Sequence, residues 1–147
     1  MCPPLLFCYT FDMPDCLFCK IVAREIPASV VYEDSETLSF LDINPVNPGH
    51  TLVIPKKHAT DVFEIDEASW GAVMQVVRKV AHAIERSLSP LGINLAMNNR
   101  KGAGQVIFHA HVHVMPRFEG DGHELWKGTP YAEGEAAKVA EKIKAAL

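Results

Sequence analysis

The chain has 147 residues, a net charge of −4 and 48% hydrophobic residues. This length and composition allow one domain with a full hydrophobic core, and the lack of a long Lys- and Arg-rich run disfavours nucleic acid as the main ligand. The sequence has no apolar run of the roughly 18 residues that a membrane span needs, nor the basic start of a signal peptide. We therefore expect a cytoplasmic protein whose partners include neither membranes nor nucleic acids.

Short apolar segments separated by turn residues predict an antiparallel sheet. Residues 1–15 show no periodic pattern, and we interpret them as a flexible N-terminal tail before a single domain over residues 16–147. The predicted strands, in chain order, are residues 30–33, 37–41, 50–55, 93–97 and 106–115.

Between the third and fourth predicted strands, apolar residues from Trp70 to Leu88 recur at spacings of three and four, which is typical of an amphipathic helix. Asp66 is in position to cap its start. His82 falls outside the apolar stripe and is predicted to face solvent. A second, short helix rich in Ala, Glu and Lys is predicted over residues 133–146, so the fold class is α+β.

Three histidines alternate with small or β-branched residues in the last predicted strand. Successive side chains of a strand point to opposite faces, so His109, His111 and His113 are expected on one face. Near pH 7, imidazole can act as a nucleophile, a proton carrier or a metal ligand. One histidine on a strand is most often structural, whereas three in register predict a functional site.

Cys16 and Cys19 form a C-x-x-C motif, which in a cytoplasmic protein points to metal or redox chemistry. Two thiolates and two imidazoles make a common structural zinc site, and the residues alone do not choose which two histidines take part. The alternative is a catalytic zinc held by His109, His111 and His113. Because same-face neighbours on a strand lie about 6.5 to 7 Å apart, that arrangement needs a strongly twisted strand.

The polar, glycine-containing loop of residues 98–105 lies directly before the histidines. Its glycines would let backbone N–H groups approach an anion closely, although an ordinary hairpin loop has the same composition. Asp42 follows a predicted strand and can either cap a turn or accept hydrogen bonds from two vicinal hydroxyls, as in a ribose. Five basic residues near these segments favour a small phosphorylated ligand: Lys56, Lys57, Arg100, Lys101 and Arg117.

The segment from His109 to Met115 resembles the H-x-H-x-H signature of the histidine triad (HIT) nucleotide-binding hydrolases. The resemblance extends, in the family's order and spacing, over most of the chain from Cys16 to Arg117. It is carried by Cys16-Leu17-Phe18-Cys19, Phe40-Leu41-Asp42-Ile43, residues 48–56, His58, Asn98-Asn99 and Ala103-Gly104-Gln105.

The resemblance implies a HIT-like α+β fold: a five-stranded antiparallel sheet, one long helix and a short C-terminal helix, paired as a homodimer through the long helix and a strand. It also implies one structural zinc per chain. The implied zinc ligands are Cys16, Cys19, His58 and His109. The implied site contains His111 as the nucleophile, His113 at the phosphate, His50 beside them, Asp42 at the ribose hydroxyls, Ile43 at the base, and Asn98, Gly104 and Gln105 at the phosphate.

The implied activity is hydrolysis of purine nucleoside phosphoramidates or related AMP conjugates through a nucleotidyl-histidine intermediate. His113 favours the hydrolase branch over the transferase branch, which resembles it but has glutamine at the third position. The alternatives are a dinucleoside polyphosphate hydrolase and a dimeric nucleotide-binding interaction protein with incidental turnover. Val106 stands where many members have serine, so a hydroxyl near the phosphate or the leaving group is missing.

Overall fold

The computed structural model describes residues 15–124 and 126–147, and the predicted tail therefore lies almost wholly outside the described residues. A five-stranded antiparallel sheet has the strand order β1-β2-β3-β5-β4. Its strands are β1 (Val30–Glu33), β2 (Thr37–Leu41), β3 (Thr51–Pro55), β4 (Gly92–Ala96) and β5 (Val112–Arg117). The helices of the described residues are α1 (Leu17–Val22), α2 (Glu67–Leu88) and α3 (Glu135–Lys144), with a short 3-10 turn at Lys101–Ala103. The predicted α+β class and the antiparallel sheet are confirmed.

The central strands β2 and β3 are buried because both faces of the sheet are covered. On one face, valines of β3 and β5 pack against a stripe of α2 that includes Val73, Val77 and Val80. On the other face, Phe40 and Leu52 pack with residues of α1. The alternation of side chains along each strand thus assigns α2 to one face and α1 to the other.

Helix α2 begins and ends close to the predicted positions. The Asp66 side chain accepts a hydrogen bond from the Ser69 N–H at 2.9 Å, as expected of an N-cap. The helix ends at Leu88, and the C-cap residue Ser89 has the left-handed φ of 48° that often closes a helix. His82 is exposed, as predicted.

Helix α1 was not predicted from the sequence. It has six residues, too few to show a helical repeat of apolar positions. Cys16 is its N-cap residue in an extended conformation, and the side chains of Phe18, Cys19 and Ile21 are buried. The C-x-x-C motif therefore lies on one turn of helix packed against the sheet.

The predicted fifth strand begins too early, since β5 covers Val112–Arg117 and not residues 106–115. Strand β3 pairs with β5 only from Thr51 to Val53. Before Val112, the Ala110 N–H bonds to the Ala59 carbonyl at 2.7 Å, outside the sheet ladder. His109 and His111 consequently precede the strand, and only His113 belongs to it.

The C-terminal part of the chain lies apart from the core. Helix α3 has no buried residue, and the indole of Trp126 is 90% exposed. Across residues 15–124 and 126–147, no helix combines the length and the apolar character needed to cross a membrane.

Candidate active site and metal centre

A cleft of about 500 Å³ opens on the sheet face that carries Leu52 and His113. Residues from separate elements line it: the loop after β2, the loop after β4, and the histidine segment. Six residues predicted from the sequence meet there: Asp42, Ile43, Asn98, Gly104, His111 and His113.

The opposite wall of the cleft is apolar and was missed by the sequence analysis. It is formed by residues of α1, of the segment after α1, and of β2: Leu17, Phe18, Ile21, Ile26, Pro27, Ala28, Phe40 and Leu41. The position of Phe18 between the two predicted cysteine ligands was the one available signal. A cleft lined by both apolar and polar residues is suited to a ligand with one aromatic and one charged end.

One ring nitrogen of His111 forms a hydrogen bond, and this bond determines which of its two nitrogens is free. Its Nδ1 lies 2.6 Å from the His109 carbonyl oxygen. A carbonyl only accepts, so Nδ1 carries the proton and Nε2 keeps its lone pair. The Phe18 ring meets the imidazole edge to face, with centroids 5.3 Å apart. Burial lowers the pKa of His111, which favours the neutral, nucleophilic ring.

His50 and His113 form a second, connected pair. The Val46 N–H donates to His50 Nδ1 at 3.2 Å, so the His50 proton is on Nε2. That Nε2 lies 2.9 Å from His113 Nδ1 and donates to it, which leaves the His113 proton on Nε2. Burial, then the neighbouring His111 and His50, lowers the pKa of His113 to about 4. His113 is thus a neutral N–H donor at the cleft.

Asp42 performs the structural role considered in the sequence analysis and keeps one oxygen open. Its Oδ1 accepts the Asn44 N–H at 2.8 Å and so caps the turn after β2. Its Oδ2 lies 3.7 Å from His50 Nε2, on the side of the histidines. Turn capping and ligand binding are therefore compatible in this residue.

Cys16, Cys19, His58 and His109 come together as a possible metal centre, with their four ligand atoms within 4.8 Å of one another. The sulfur-to-nitrogen distances are 3.6 Å for Cys16–His109, 3.3 Å for Cys19–His58 and 3.5 Å for Cys19–His109. The two Nδ1 atoms are 3.3 Å apart. A tetrahedral zinc with ordinary bond lengths separates sulfur from nitrogen by about 3.5 Å and two nitrogens by about 3.3 Å. The geometry fits that ion.

The protonation of these residues also fits a cation. His109 Nε2 donates to the Pro55 carbonyl at 2.8 Å, so its Nδ1 lone pair faces the cysteines. Burial, followed by the charge of Cys16, raises the pKa of the Cys19 thiol to about 12. A buried thiolate at neutral pH therefore needs a compensating cation.

The alternative of one metal held by His109, His111 and His113 is contradicted by the structure. Within the described residues, His109 groups with the cysteines and His58, whereas His113 groups with Asp42 and His50. The row of histidines expected from a strand is divided between two places: His109 lies with the cysteines, and His111 and His113 line the cleft.

The structure places Gln105 inside the loop and not against the cleft. Its Nε2 donates to the carbonyls of Thr60 at 2.6 Å and Ile107 at 3.1 Å, and its Oε1 accepts the Arg100 N–H at 2.6 Å. The residue is 3% exposed. These bonds occupy both amide hydrogens, so the expected phosphate contact of Gln105 is replaced by a bracing role.

Four of the five basic residues named above are paired with carboxylates. These pairs are Lys56–Glu33, Lys57–Asp66, Arg100–Asp61 and Arg117–Asp121. The positive charge expected near a phosphate is thus largely neutralised within the protein. Anion binding in the cleft has to depend on N–H groups more than on cationic side chains.

A family model described as the HIT domain matches residues 23–120. A HIT-like protein of Methanocaldococcus jannaschii, described as uncharacterized, is 48% identical over 129 residues, which make up 88% of this chain and 98% of that protein. The adenylylsulfatase HINT3 of Arabidopsis thaliana is 42% identical over 107 residues, which make up 73% of this chain and 54% of that protein. The family match begins after Cys19, so it does not include the two cysteines.

Solved structures agree with the fold. The crystal structure of a HIT family member from Bacillus subtilis matches with a TM-score of 0.85 and 39% identity, over 90% of this chain and 97% of that one. A zinc-bound histidine triad protein from Mycobacterium smegmatis matches with a TM-score of 0.71 and 35% identity, over 90% of this chain and 98% of that one. A histidine triad nucleotide-binding protein from Candida albicans matches with a TM-score of 0.80 and 31% identity, over 90% of this chain and 96% of that one.

Proposed function

This chain belongs to the histidine triad (HIT) family, and we propose that it is a nucleotidyl hydrolase that cleaves purine nucleoside phosphoramidates or related AMP conjugates. The observation that carries the proposal is the state of His111. Its Nδ1 proton is held by the His109 carbonyl, and the ring borders a cleft that Asp42 and Asn98 also line. A neutral imidazole with a free Nε2 beside a polar edge is suited to attack a phosphorus atom.

In the proposed reaction, the Nε2 lone pair of His111 attacks the α-phosphorus in line with the leaving group. The bond from phosphorus to the amine or other leaving group breaks, an amine leaves with a proton taken from solvent, and a nucleotidyl-histidine forms; the later attack of water returns one proton to solvent. Water then attacks the same phosphorus, releases AMP and restores His111. Dividing the hydrolysis into two displacements lowers the barrier of each step.

The other cleft residues are proposed to bind and orient the nucleotide. The Nε2–H of His113 and the side-chain amide of Asn98 would donate to phosphoryl oxygens as their charge develops, with Gly104 allowing close approach of the loop backbone. His50 would hold the tautomer of His113. Asp42 Oδ2 would accept the ribose hydroxyls.

Ile43 is proposed as the contact to the base. It lines the cleft and is 89% exposed. Covering so exposed an aliphatic side chain with an aromatic ring is favourable, because both surfaces leave water.

Cys16, Cys19, His58 and His109 are proposed to hold one zinc ion of structural type. When bound, zinc would stabilise the thiolates and join α1 to the segment before β5. Support comes from the tetrahedral spacing of the ligand atoms and from the zinc-bound relative of Mycobacterium smegmatis. Cys16 and Cys19 are not joined in a disulfide, so both sulfurs are free to bind a metal.

We propose that the chain forms a homodimer through β4 and α2. Strand β4 is at one edge of the sheet, and Leu95 on it is 50% exposed. Leu91 before the strand is 78% exposed, and Leu88 at the end of α2 is 41% exposed. Pairing two such edges would cover this apolar surface and satisfy the backbone groups of the edge strand.

Adenylyl sulfate is a second candidate substrate, favoured by the name of the Arabidopsis thaliana relative. It is itself an AMP conjugate, and the same attack by His111 would release sulfate in place of an amine. Val106, which lines the cleft and is 80% exposed, offers no hydroxyl to either leaving group.

The test is the intact mass of the protein after rapid, acid-free quenching of its reaction with an adenosine phosphoramidate. The unmodified chain should gain the mass of one adenylyl group, and His111→Ala should neither gain it nor release AMP while still binding AMP. His82→Ala, an exposed histidine on α2, is the matched control and should behave like the parent. Absence of both adduct and AMP release in the zinc-loaded parent, with nucleotide bound, would favour the nucleotide-binding interaction protein.

A further inference from the structure

Asp121 is a buried carboxylate beyond β5 that the sequence analysis did not identify. Its side chain is 8% exposed. Oδ1 accepts from Arg117 Nη2 and from the His123 N–H, both at 2.9 Å. Oδ2 accepts from Asn47 Nδ2 at 2.8 Å and from the Phe118 N–H at 3.0 Å. One carboxylate thus joins the end of β5, the following turn and a loop distant in sequence.

That distant loop, residues 42–50, connects β2 to β3. Its Asp42, Ile43 and Asn44 line the cleft, and its buried His50 is hydrogen-bonded to His113. Burial of apolar side chains does little to hold it, since Ile43 is 89% and Val46 is 53% exposed. Besides the bond from His50 to His113, its polar attachment is Asn47, whose Nδ2 donates to Asp121 and also to the Pro116 carbonyl at 2.9 Å. Both hydrogens of this amide are therefore used to attach the loop to β5 and the turn after it.

From Asn47 the attachment continues to the histidines. The Asn47 carbonyl accepts the His50 N–H at 3.1 Å, and the Val46 N–H next to it donates to His50 Nδ1 at 3.2 Å. The second bond sets the His50 proton on Nε2, from which it is donated to His113. A displacement of Asn47 would move the donor that fixes both tautomers.

We propose that Asp121 is a positioning residue for the cleft, acting through Asn47 to hold the 42–50 loop and, with it, the hydrogen-bonded orientation of His50 and His113. This inference rests on the proposed function for its kinetic consequences, whereas its structural part stands on the hydrogen bonds alone. Asp121 touches none of the reacting atoms.

The charge of Asp121 is balanced within the protein, which suits a residue that holds a loop in place. Arg117, whose side chain is 18% exposed, neutralises Asp121 within the protein. The bond from Arg117 and the N–H groups of Phe118 and His123 hold the pKa of Asp121 well below its usual range. The carboxylate therefore stays ionised at neutral and mildly acidic pH, so the attachment does not loosen as the histidines titrate.

The first variant is Asn47→Ala, because it removes both bonds that attach the loop, to Asp121 and to the Pro116 carbonyl, and leaves the Arg117–Asp121 pair intact. Comparison with Asp121→Ala, in which Asn47 can keep its bond to Pro116, isolates the part of the attachment that Asp121 provides. Asp121→Ala removes the whole hub and leaves Arg117 buried without its partner, so it is the more disruptive change. The matched control is Asp66→Ala. Asp66 also accepts from a basic side chain and from a backbone N–H, but it caps α2 on the other face of the sheet.

Two readouts are needed: steady-state kinetics with an adenosine phosphoramidate, and the imidazole nitrogen signals of His50 and His113 in long-range ¹H–¹⁵N spectra. We expect Asn47→Ala to convert His50 from the Nε2–H form to a mixture of tautomers. It should lower kcat/KM by roughly ten- to a hundredfold through both constants, since a displacement of about 1 Å can cost about a hundredfold. Asp66→Ala should lower the melting temperature and leave both readouts at parent values.

Parent-like histidine signals and KM in a folded Asn47→Ala chain would overturn the proposal. The same holds if Asn47→Ala and Asp66→Ala change only the melting temperature, since Asn47 would then be merely structural. Failure of the parent chain to bind AMP would instead remove the proposed function, while the His50 signals would still decide whether the loop is held through Asp121.

Discussion

The metal centre and the cleft use the same side chain in opposite ways. At the metal centre, His109 binds the Pro55 carbonyl through Nε2 and presents Nδ1. Two residues later, His111 binds the His109 carbonyl through Nδ1 and presents Nε2. In each case a backbone acceptor fixes the proton, so the free nitrogen is determined by the main chain. The proposed roles of His109 as a ligand and His111 as a nucleophile thus follow from which ring nitrogen the backbone carbonyl leaves free.

The two regions also differ in access. Cys16, Cys19 and His109 are buried and His58 is half-buried, so protein encloses most of this cluster. His111 and His113 border an open cleft. Closed, four-ligand sites are typical of structural zinc, whereas catalytic sites keep an open position. On this comparison, loss of a metal ligand should affect folding first, and loss of a cleft histidine should affect chemistry.

Cys16→Ser is expected to have the largest effect of the variants that test this difference. A serine hydroxyl is a poor zinc ligand, so the variant should retain little zinc and should lose at least about 4 kcal/mol of unfolding free energy. Zinc is measured by elemental mass spectrometry and stability by urea unfolding. Cys8→Ser, which removes a thiol from the predicted N-terminal tail, is the control and should match the parent.

The comparison fails if the Cys16→Ser chain loses zinc, stays fully folded as a dimer and is inactive. In that case the metal would serve the chemistry and not the fold. Full zinc content with unchanged stability would instead remove Cys16 from the ligand set.

The sequence predicted the features of the fold that depend on contacts between neighbouring residues, and missed those that depend on contacts between residues distant in the chain. The bounds of β1 and β2 were found because a polar turn separates two short β-rich segments. The start of β5 was not, since alternation of histidine with Ala and Val imitates a strand. Its true start depends on where β3 stops pairing and on the bond from Ala110 to the Ala59 carbonyl, neither of which leaves a local pattern.

The same argument applies to the site residues. The H-x-H-x-H segment and the C-x-x-C motif predicted functional sites because histidine and cysteine at these spacings are typical of such sites. Asp121 did not, since an aspartate after a strand reads as a turn residue, and its partner Asn47 is 74 residues away in sequence. Gln105 was assigned to the phosphate from its place in the glycine-containing loop and from the resemblance. Its side-chain bonds to Thr60, Arg100 and Ile107, two of which lie outside that loop, have no local sequence pattern.

The pH dependence of stability gives an intermediate test. An unfolded histidine titrates near 6.5, whereas folded His113 stays neutral down to about 4. Between these values the unfolded chain binds more protons, so the stability contributed by neutral His113 is complete above 6.5 and is lost as the pH falls toward 4. His113 alone should account for up to about 2 kcal/mol between about pH 7 and about pH 5.

Urea unfolding of the parent and of His113→Gln at both pH values isolates this contribution, because any acid release of zinc affects the two proteins alike. The parent should lose more stability on acidification than the variant does. His82→Gln, at an exposed position, should lose as much as the parent. Equal losses in all three proteins would mean that His113 is accessible to protons and is not the buried donor described above.

Phe18 offers the smallest and sharpest test, because its ring contacts both regions. The centroid distances are 5.9 Å to His109 and 5.3 Å to His111, both edge to face. Phe18→Leu keeps most of the apolar volume and should cost only about 1 to 1.5 kcal/mol. If one ring orients both imidazoles, the variant should release zinc faster to a chelator and also form the adenylyl adduct a few-fold more slowly. Phe108→Leu, at a residue that is 50% exposed, should change neither rate. A change in only one rate would show that Phe18 orients one histidine, and that the metal centre and the cleft are held independently.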